Sequence, residues 1–185
     1  MSYVNKLEYM IVPTNTFHIL RGCAGCGCKQ TFVCKGRFRV NANGNHLDVW
    51  LIYGCEKCGH TYNLPIYERV RADRIPKAEY QKFLENDEKT LFQYGTDKSL
   101  FIKNRAEIDW NSLEYEIMPI NKQRVAVGHN PIWMELCNFY DIPVRKEKIA
   151  SEILQISRGK VTEMIKEGLL SVDVIKNRKR GLDND

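Results

Sequence analysis

Apolar and polar residues alternate in short runs from Tyr9 to Val70, the period of half-buried strands, and past Pro76 the apolar spacing becomes helical. Tyr9–Val12 predicts a short strand leading towards the first cysteines, and Thr31–Cys34 and Arg37–Val40 predict two more extended segments. Asn43-Gly44 is a hairpin-turn signal, and the β-branched and aromatic run Leu47–Tyr53 after it leads directly into Cys55. Thr61–Tyr67 reads as a further strand. From Ala78 to Tyr94, Tyr80, Phe83, Leu84, Leu91 and Phe92 recur at helical spacing, with Gly95 as the stop and Asp97 as N-cap of a shorter helix beyond it. Leu113–Ile120 alternates like a strand ending at Pro119, Arg124–Pro131 reads as a loop, and Trp133–Val144 as extended chain. At the C-terminal end, Lys146–Leu154 places Ile149, Ile153 and Leu154 on one helical face. Ser157 N-caps a second helix running to Glu167 with Val161, Met164 and Ile165 inward, Gly168 ends it, and Leu169–Val174 turns extended. No internal repeat is visible.

This pattern predicts an α+β protein in four segments. Residues 1–71 form a zinc-ribbon-like β region and 72–144 a helical and mixed middle. Residues 145–176 form a small helix-helix-strand unit, and 177–185 a basic-to-acidic tail, loose around Lys176–Arg180. The composition is that of a soluble protein, 43% hydrophobic and 28% charged, with no apolar run long enough to span a membrane and no secretory leader. A cytoplasmic location is therefore expected, in which the seven cysteines stay reduced. Charge is uneven along the chain. Residues 1–71 hold nine Lys/Arg against four Asp/Glu, 72–144 nine against twelve, and 145–185 ten against seven. Basic ends around an acidic middle permit contact with a polyanion.

The strongest chemical signal is a repeated pattern, Cys23-Ala24-Gly25-Cys26-Gly27 and Cys55-Glu56-Lys57-Cys58-Gly59. Two intervening residues let one tight turn aim both sulfurs at one metal, and the following glycine supplies a positive φ without a Cβ. Four thiolates from Cys23, Cys26, Cys55 and Cys58 would close a tetrahedral structural Zn2+ site with no position left for substrate. The 28 residues between Cys26 and Cys55 suit a long hairpin. Arg21, Lys29 and Lys57 would offset the negative charge of such a centre. Cys28 is a rival or supporting thiol, Cys34 and Cys137 read as packing residues, and His60 is left outside the ligand set. His18, His46, His60 and His129 are scattered. With no Ser/His/Asp set, phosphate-cradling glycine loop or His-Glu-x-x-His motif, an enzyme is not expected.

Cys23-x-x-Cys26, Arg37–Gly44 and Leu47–Tyr53 running into Cys55-x-x-Cys58 resemble the bacterial domain-of-unknown-function 1062 family, which brings no activity with its name. The C-terminal segment, above all Ile156–Val161 and Ile165–Val172, resembles the alpha-L RNA-binding motif, first seen in a small-subunit ribosomal protein. Arg145 matches the arginine opening that motif's first helix, Ser157 and Arg158 the pair opening its second, and Lys166–Val172 its glycine-centred turn. Arg145-Lys146-Glu147 stands in place of the usual arginine-leucine-aspartate, and Asp173-Val174 in place of Asn-Gly.

That resemblance implies binding of structured RNA or the ribosome. Arg145, Lys148, Arg158 and Lys160 lie at the starts of the two helices, where exposed N–H groups favour phosphate, with Ser157 and Lys166 completing the candidate surface. The same apolar spacing fits a helix-turn-helix reading DNA, and a zinc ribbon presenting a surface to a protein partner is a further alternative. The expectation is a zinc-stabilised, non-enzymatic RNA-binding or ribosome-associated accessory protein, with no membrane partner.

Overall fold

In the computed structural model, which describes residues 5–121 and 131–176, the chain builds two separate sheets with helices between their strands, an α+β architecture. Strand β1 (Asn5–Pro13) comes first. A five-stranded antiparallel sheet follows, made of β2 (Ile19–Cys23), β3 (Cys28–Asn43), β4 (His46–Cys55), β5 (Thr61–Arg71) and, after three helices, β6 (Glu107–Ile108), in the order β5-β4-β3-β2-β6. The helices are α1 (Lys77–Glu85), α2 (Glu88–Gly95) and α3 (Lys98–Lys103). Then come β7 (Tyr115–Pro119), β8 (Ile132–Cys137), α4 (Lys146–Leu154), α5 (Arg158–Lys166) and β9 (Leu170–Ile175), which with β1 give a second sheet ordered β7-β1-β8-β9.

These elements fall into two compact units that cut across the segments drawn from the sequence. One is Pro13–Glu114; the other joins Met1–Val12 to Tyr115–Asp185. The stretch 72–144 is thus shared, its helices belonging to the first unit and β7 and β8 to the second. Strand β1 does not run into the first cysteine pair as expected. It pairs in parallel with β8, Asn5 opposite Ile132 through Met10 opposite Cys137, and β8 pairs in parallel with β9. Buried Leu7, Ile11, Ile132, Met134, Leu136, Leu170 and Val172 explain the choice, because a strand covered on its faces needs apolar neighbours on both sides. Helices α4 and α5 pack on each other and on β9 through Ile149, Ala150, Val161 and Met164.

In the 13–114 unit the helices cover one sheet face with an aromatic core. Phe38 of β3 meets Phe83 of α1 edge-on at 4.9 Å between ring centres, and Phe83 touches Tyr67 and Tyr94. Phe17 contacts Phe101 and Trp110, and the buried Tyr53 hydroxyl donates to the Phe17 carbonyl at 3.0 Å. The Glu79 carboxylate accepts from the hydroxyls of both Tyr67 and Tyr94. Burial, reinforced by Glu79, pushes the Tyr94 phenol well above its usual range, so it remains a donor. Pro65 is tolerated because β5 is an edge strand.

Several boundaries differ from the sequence reading. The single helical pattern Ala78–Tyr94 is broken into α1 and α2 at Asn86, which adopts φ 55° while its side-chain oxygen accepts from the Phe38 amide at 2.7 Å. Asp87 then caps α2 through the Thr90 amide. Thr31–Cys34 and Arg37–Val40 are one strand with an irregularity between Cys34 and Phe38. Its hairpin loop is Gly44-Asn45, one residue on from the expected pair, since Asn43 pairs with His46. Strand β8 stops at Cys137 because the buried Asn138 side chain bonds both backbone groups of Ile142 and closes a turn. Strands β2 and β6 were not anticipated. The caps at Asp97 and Ser157, the bounds of α4 and the stop at Gly168 fall where the sequence reading places them. The expected loop Arg124–Pro131 (all but Pro131), with His129 in it, and the 177–185 tail lie outside the described residues. Among the described residues no helix is long and apolar enough to cross a membrane.

Phe83 is 1% exposed and its neighbour Leu84 49%. Phe83→Ala should therefore cost about 3–5 kcal/mol in urea unfolding, whereas Leu84→Ala should stay within about 0.5 kcal/mol of the parent.

Candidate metal centre

Antiparallel pairing brings the two cysteine turns side by side. Cys23 ends β2, and the turn to β3 is closed by the amides of Cys26 and Gly27, both donating to the Cys23 carbonyl. Cys55 ends β4, and the Gly59 amide donates to its carbonyl in the same way at 2.8 Å. Ile19 pairs with Phe32 and Phe32 with Cys55, so β3 sets both turns at one end of the sheet. The Glu56 amide, bonded to the Thr31 carbonyl at 2.9 Å, stitches the second turn to β3. Gly27 at φ 69° and Gly59 at φ 75° adopt the left-handed conformation that the repeated motif implied.

The four sulfurs of Cys23, Cys26, Cys55 and Cys58 all lie within 4.8 Å of one another. Cys23 Sγ is 3.4 Å from Cys58 Sγ, and Cys26 Sγ is 3.8 Å from Cys55 Sγ, so each contact links one turn to the other. Tetrahedral metal–thiolate bonds of about 2.3 Å place sulfurs about 3.8 Å apart. The group therefore has the donors and the spacing to hold one metal ion. Gly25 contributes by its smallness: a Cβ there would sit 3.0 Å from Cys58 Sγ.

The thiols are not equivalent. Hydrogen bonding to Cys58, with burial behind it, pushes Cys26 up to about 12. Burial, then the bond to Cys58, also raises Cys23. Burial acts on Cys55 in the same direction, but the amide N–H groups of Cys58 and Lys57 outweigh it and bring that thiol down to about 7. Cys55 is thus brought towards its thiolate near neutral pH, the form that binds metal.

The other candidates stand outside this group. Cys28 faces Cys23 across the β2–β3 ladder but is exposed, its sulfur accepting from the Gln30 amide at 3.1 Å. His60 is exposed, and what it supplies is a backbone carbonyl for the Cys55 amide. Lys29 pairs with Glu107 at 2.7 Å, and the Arg21 guanidinium lies over the Tyr62 ring, 3.5 Å from its centre. Burial raises the half-buried Cys34 thiol, and Cys137 is buried. The Arg21–Tyr62 stack was missed by sequence reasoning, which had no signal for a contact between residues so far apart.

The candidate nucleic-acid residues all lie on or at the ends of the α4–α5 pair, and all are exposed. Arg145 is the N-cap residue of α4, and Ser157 caps α5 by accepting from the Lys160 amide at 3.2 Å. Arg158 opens α5 and Lys166 ends it. Lys148 lies 3.7 Å from Glu152, and Lys160 holds Glu163 at 2.8 Å. Asp173, in the strand that follows, accepts from the Trp133 indole N–H at 2.8 Å.

Residues 40–176 match the model of a family described as protein of unknown function (DUF1062). The match takes in Cys55, Cys58 and the whole of α4, α5 and β9, and begins inside β3, after Cys23 and Cys26. No curated protein and no solved structure matches the chain.

Elemental analysis should find one metal ion per chain, and Cys58→Ser should abolish it while Cys28→Ser leaves the ratio at one. Gly25→Ala should weaken metal retention against a chelator, because its methyl group displaces the Cys58 sulfur. Retention equal to that of the parent would show that Gly25 does not set the sulfur's position.

Proposed function

Because the chain belongs to the DUF1062 family of proteins of unknown function, a name that carries no activity, we propose a role from its own chemistry: a cytoplasmic, zinc-stabilised, non-enzymatic protein that binds structured RNA, free or in the ribosome. The observation that carries this reading is the four-sulfur group with its close mutual spacing. Soft thiolates in a tetrahedral set favour Zn2+ over the oxygen-seeking divalent ions. Four protein ligands leave no exchangeable position for a water nucleophile, which is what hydrolytic zinc chemistry needs. The metal then acts as a structural cross-link between the two turns of a zinc-ribbon-like sheet. When bound it supplies folding energy, and Cys23, Cys26, Cys55 and Cys58 do the holding.

The RNA half of the proposal rests on the α4–α5 surface. Arg145, Arg158 and Lys166 are exposed and have no ion pair among the described residues. Guanidinium groups at the openings of two packed helices suit phosphate oxygens, and structured RNA is recognised largely through shape and backbone. A second reading, a module for a protein partner, is favoured by one observation: Lys148 and Lys160 already hold carboxylates, so the surface is mixed in charge.

Binding to a structured RNA hairpin and to duplex DNA across a salt series separates these readings. The Arg145→Ala/Arg158→Ala double variant should weaken RNA binding and flatten the log–log salt slope by about two. Equal, feeble binding of both nucleic acids at low salt would remove the RNA reading and leave the protein-partner one. For the metal, zinc should be the ion recovered from cells, and Cys55→Ser should unfold the 13–114 sheet as read by loss of its amide protection.

A further inference from the structure

Beside the cysteine turns, in the 13–114 unit, lies a cleft of about 270 Å³ lined by Ile19, Arg21, Tyr62, Asn104, Arg105 and Glu107 among others. Two arginines line this small concavity, and neither guanidinium is held by a carboxylate among the described residues. Arg21 is half-buried over Tyr62 and within 5.7 Å of the Phe32 ring centre. A guanidinium held by its face against an aromatic ring keeps its N–H edge free for an acceptor. Neither Arg21 nor Arg105 has an ion pair or a side-chain hydrogen bond among the described residues.

Arg105 carries a second sign. It sits at φ 51°, a conformation uncommon for a residue with a long side chain. The turn around it is tied down completely. The Arg105 amide donates to the Ile102 carbonyl and the Ala106 amide to that of Phe101, while the Asn104 side chain donates to the carbonyls of Pro65 and Leu100. Glycine or asparagine would satisfy that backbone at lower cost; arginine adds a cation at the cleft. The one carboxylate on the rim, Glu107, has its charge offset by Lys29 at 2.7 Å.

We propose that this cleft is a phosphate-binding site in which Arg21 and Arg105 hold a phosphoryl group from two sides. A carboxylate offers two oxygens and is satisfied by one guanidinium fork, whereas a phosphoryl group offers a third oxygen to a second fork. The volume accommodates the phosphoryl group and a few attached atoms, beside the partly exposed apolar side chains of Leu20 and Ala106. The site belongs to the 13–114 unit and does not depend on RNA binding by α4–α5.

The test uses the full chain titrated calorimetrically with inorganic phosphate, with uridine 5′-monophosphate, with a five-nucleotide RNA lacking terminal phosphates, and with acetate. Arg105→Gly keeps the left-handed backbone and deletes the cation; Arg21→Met keeps apolar cover on Tyr62. Each should weaken phosphate or nucleotide binding about ten-fold or more, the loss of one charge-assisted pair, with an unfolding midpoint for Arg105→Gly no lower than the parent's. The Arg145→Ala/Arg158→Ala variant should bind phosphate as the parent does, even if its RNA binding fails. Binding of the monophosphate but not the oligonucleotide identifies a small phosphomonoester as the ligand class; binding of both identifies the phosphodiester backbone. No phosphate binding by the parent, equal binding by both single variants, or tighter binding of acetate overturns the proposal.

Discussion

Parallel strands cannot be joined by a tight turn, and that constraint organises this molecule. The β1–β8 and β8–β9 ladders are both parallel, so each requires a long crossover. Between β8 and β9 the crossover is the α4–α5 pair, which covers β9 with Ile149, Val161 and Met164. Between β1 and β8 it is far longer and includes a second unit with its own sheet and aromatic core. The surface with exposed Arg145 and Arg158 and the unit carrying the cysteines both owe their places in the chain to the same requirement.

Within the inserted unit, the cysteine turns end two neighbouring hairpins on one side of a sheet whose other connections are conventional. Hydrogen bonding to Cys58 and burial raise the Cys26 thiol, burial and then the same bonding raise Cys23, and backbone N–H groups outweigh burial to lower Cys55. A metal ion held across the turns would join residues on either side of a long hairpin and so remove chain entropy from the unfolded state.

What could be read from the sequence was whatever local chemistry decides. The Cys-x-x-Cys-Gly turns were legible because ligand spacing and a positive φ are properties of five consecutive residues. The Ser157 and Asp97 caps were legible because a short polar side chain bonds an amide two or three residues on. The misses share the opposite property. Asn86 breaks a helical pattern because a strand amide at Phe38 needs an acceptor. Tyr9–Val12 reads locally as a strand leading towards the cysteines, and its pairing with β8 escapes notice because that partner begins only at Ile132. The Arg21–Arg105 cleft joins residues whose proximity only the folded sheet creates. Strand β8 was overextended because the stop signal is a single buried Asn138 side chain amid apolar residues.

The two ends of the inserted unit are fastened to each other: the Thr14 amide donates to the Glu114 carbonyl at 3.0 Å, and Asn15 bonds both the Ser112 carbonyl and the Glu114 amide. During synthesis β1 emerges before either of its sheet neighbours, β7 and β8, both of which follow the insert. The insert can close in the meantime and shorten the effective chain between β1 and β8 from more than a hundred residues to the stretch 115–131. A metal ion held by the four cysteines of the insert would then bear on more than the finished fold, because its supply during translation would influence how long β1 waits for its partners.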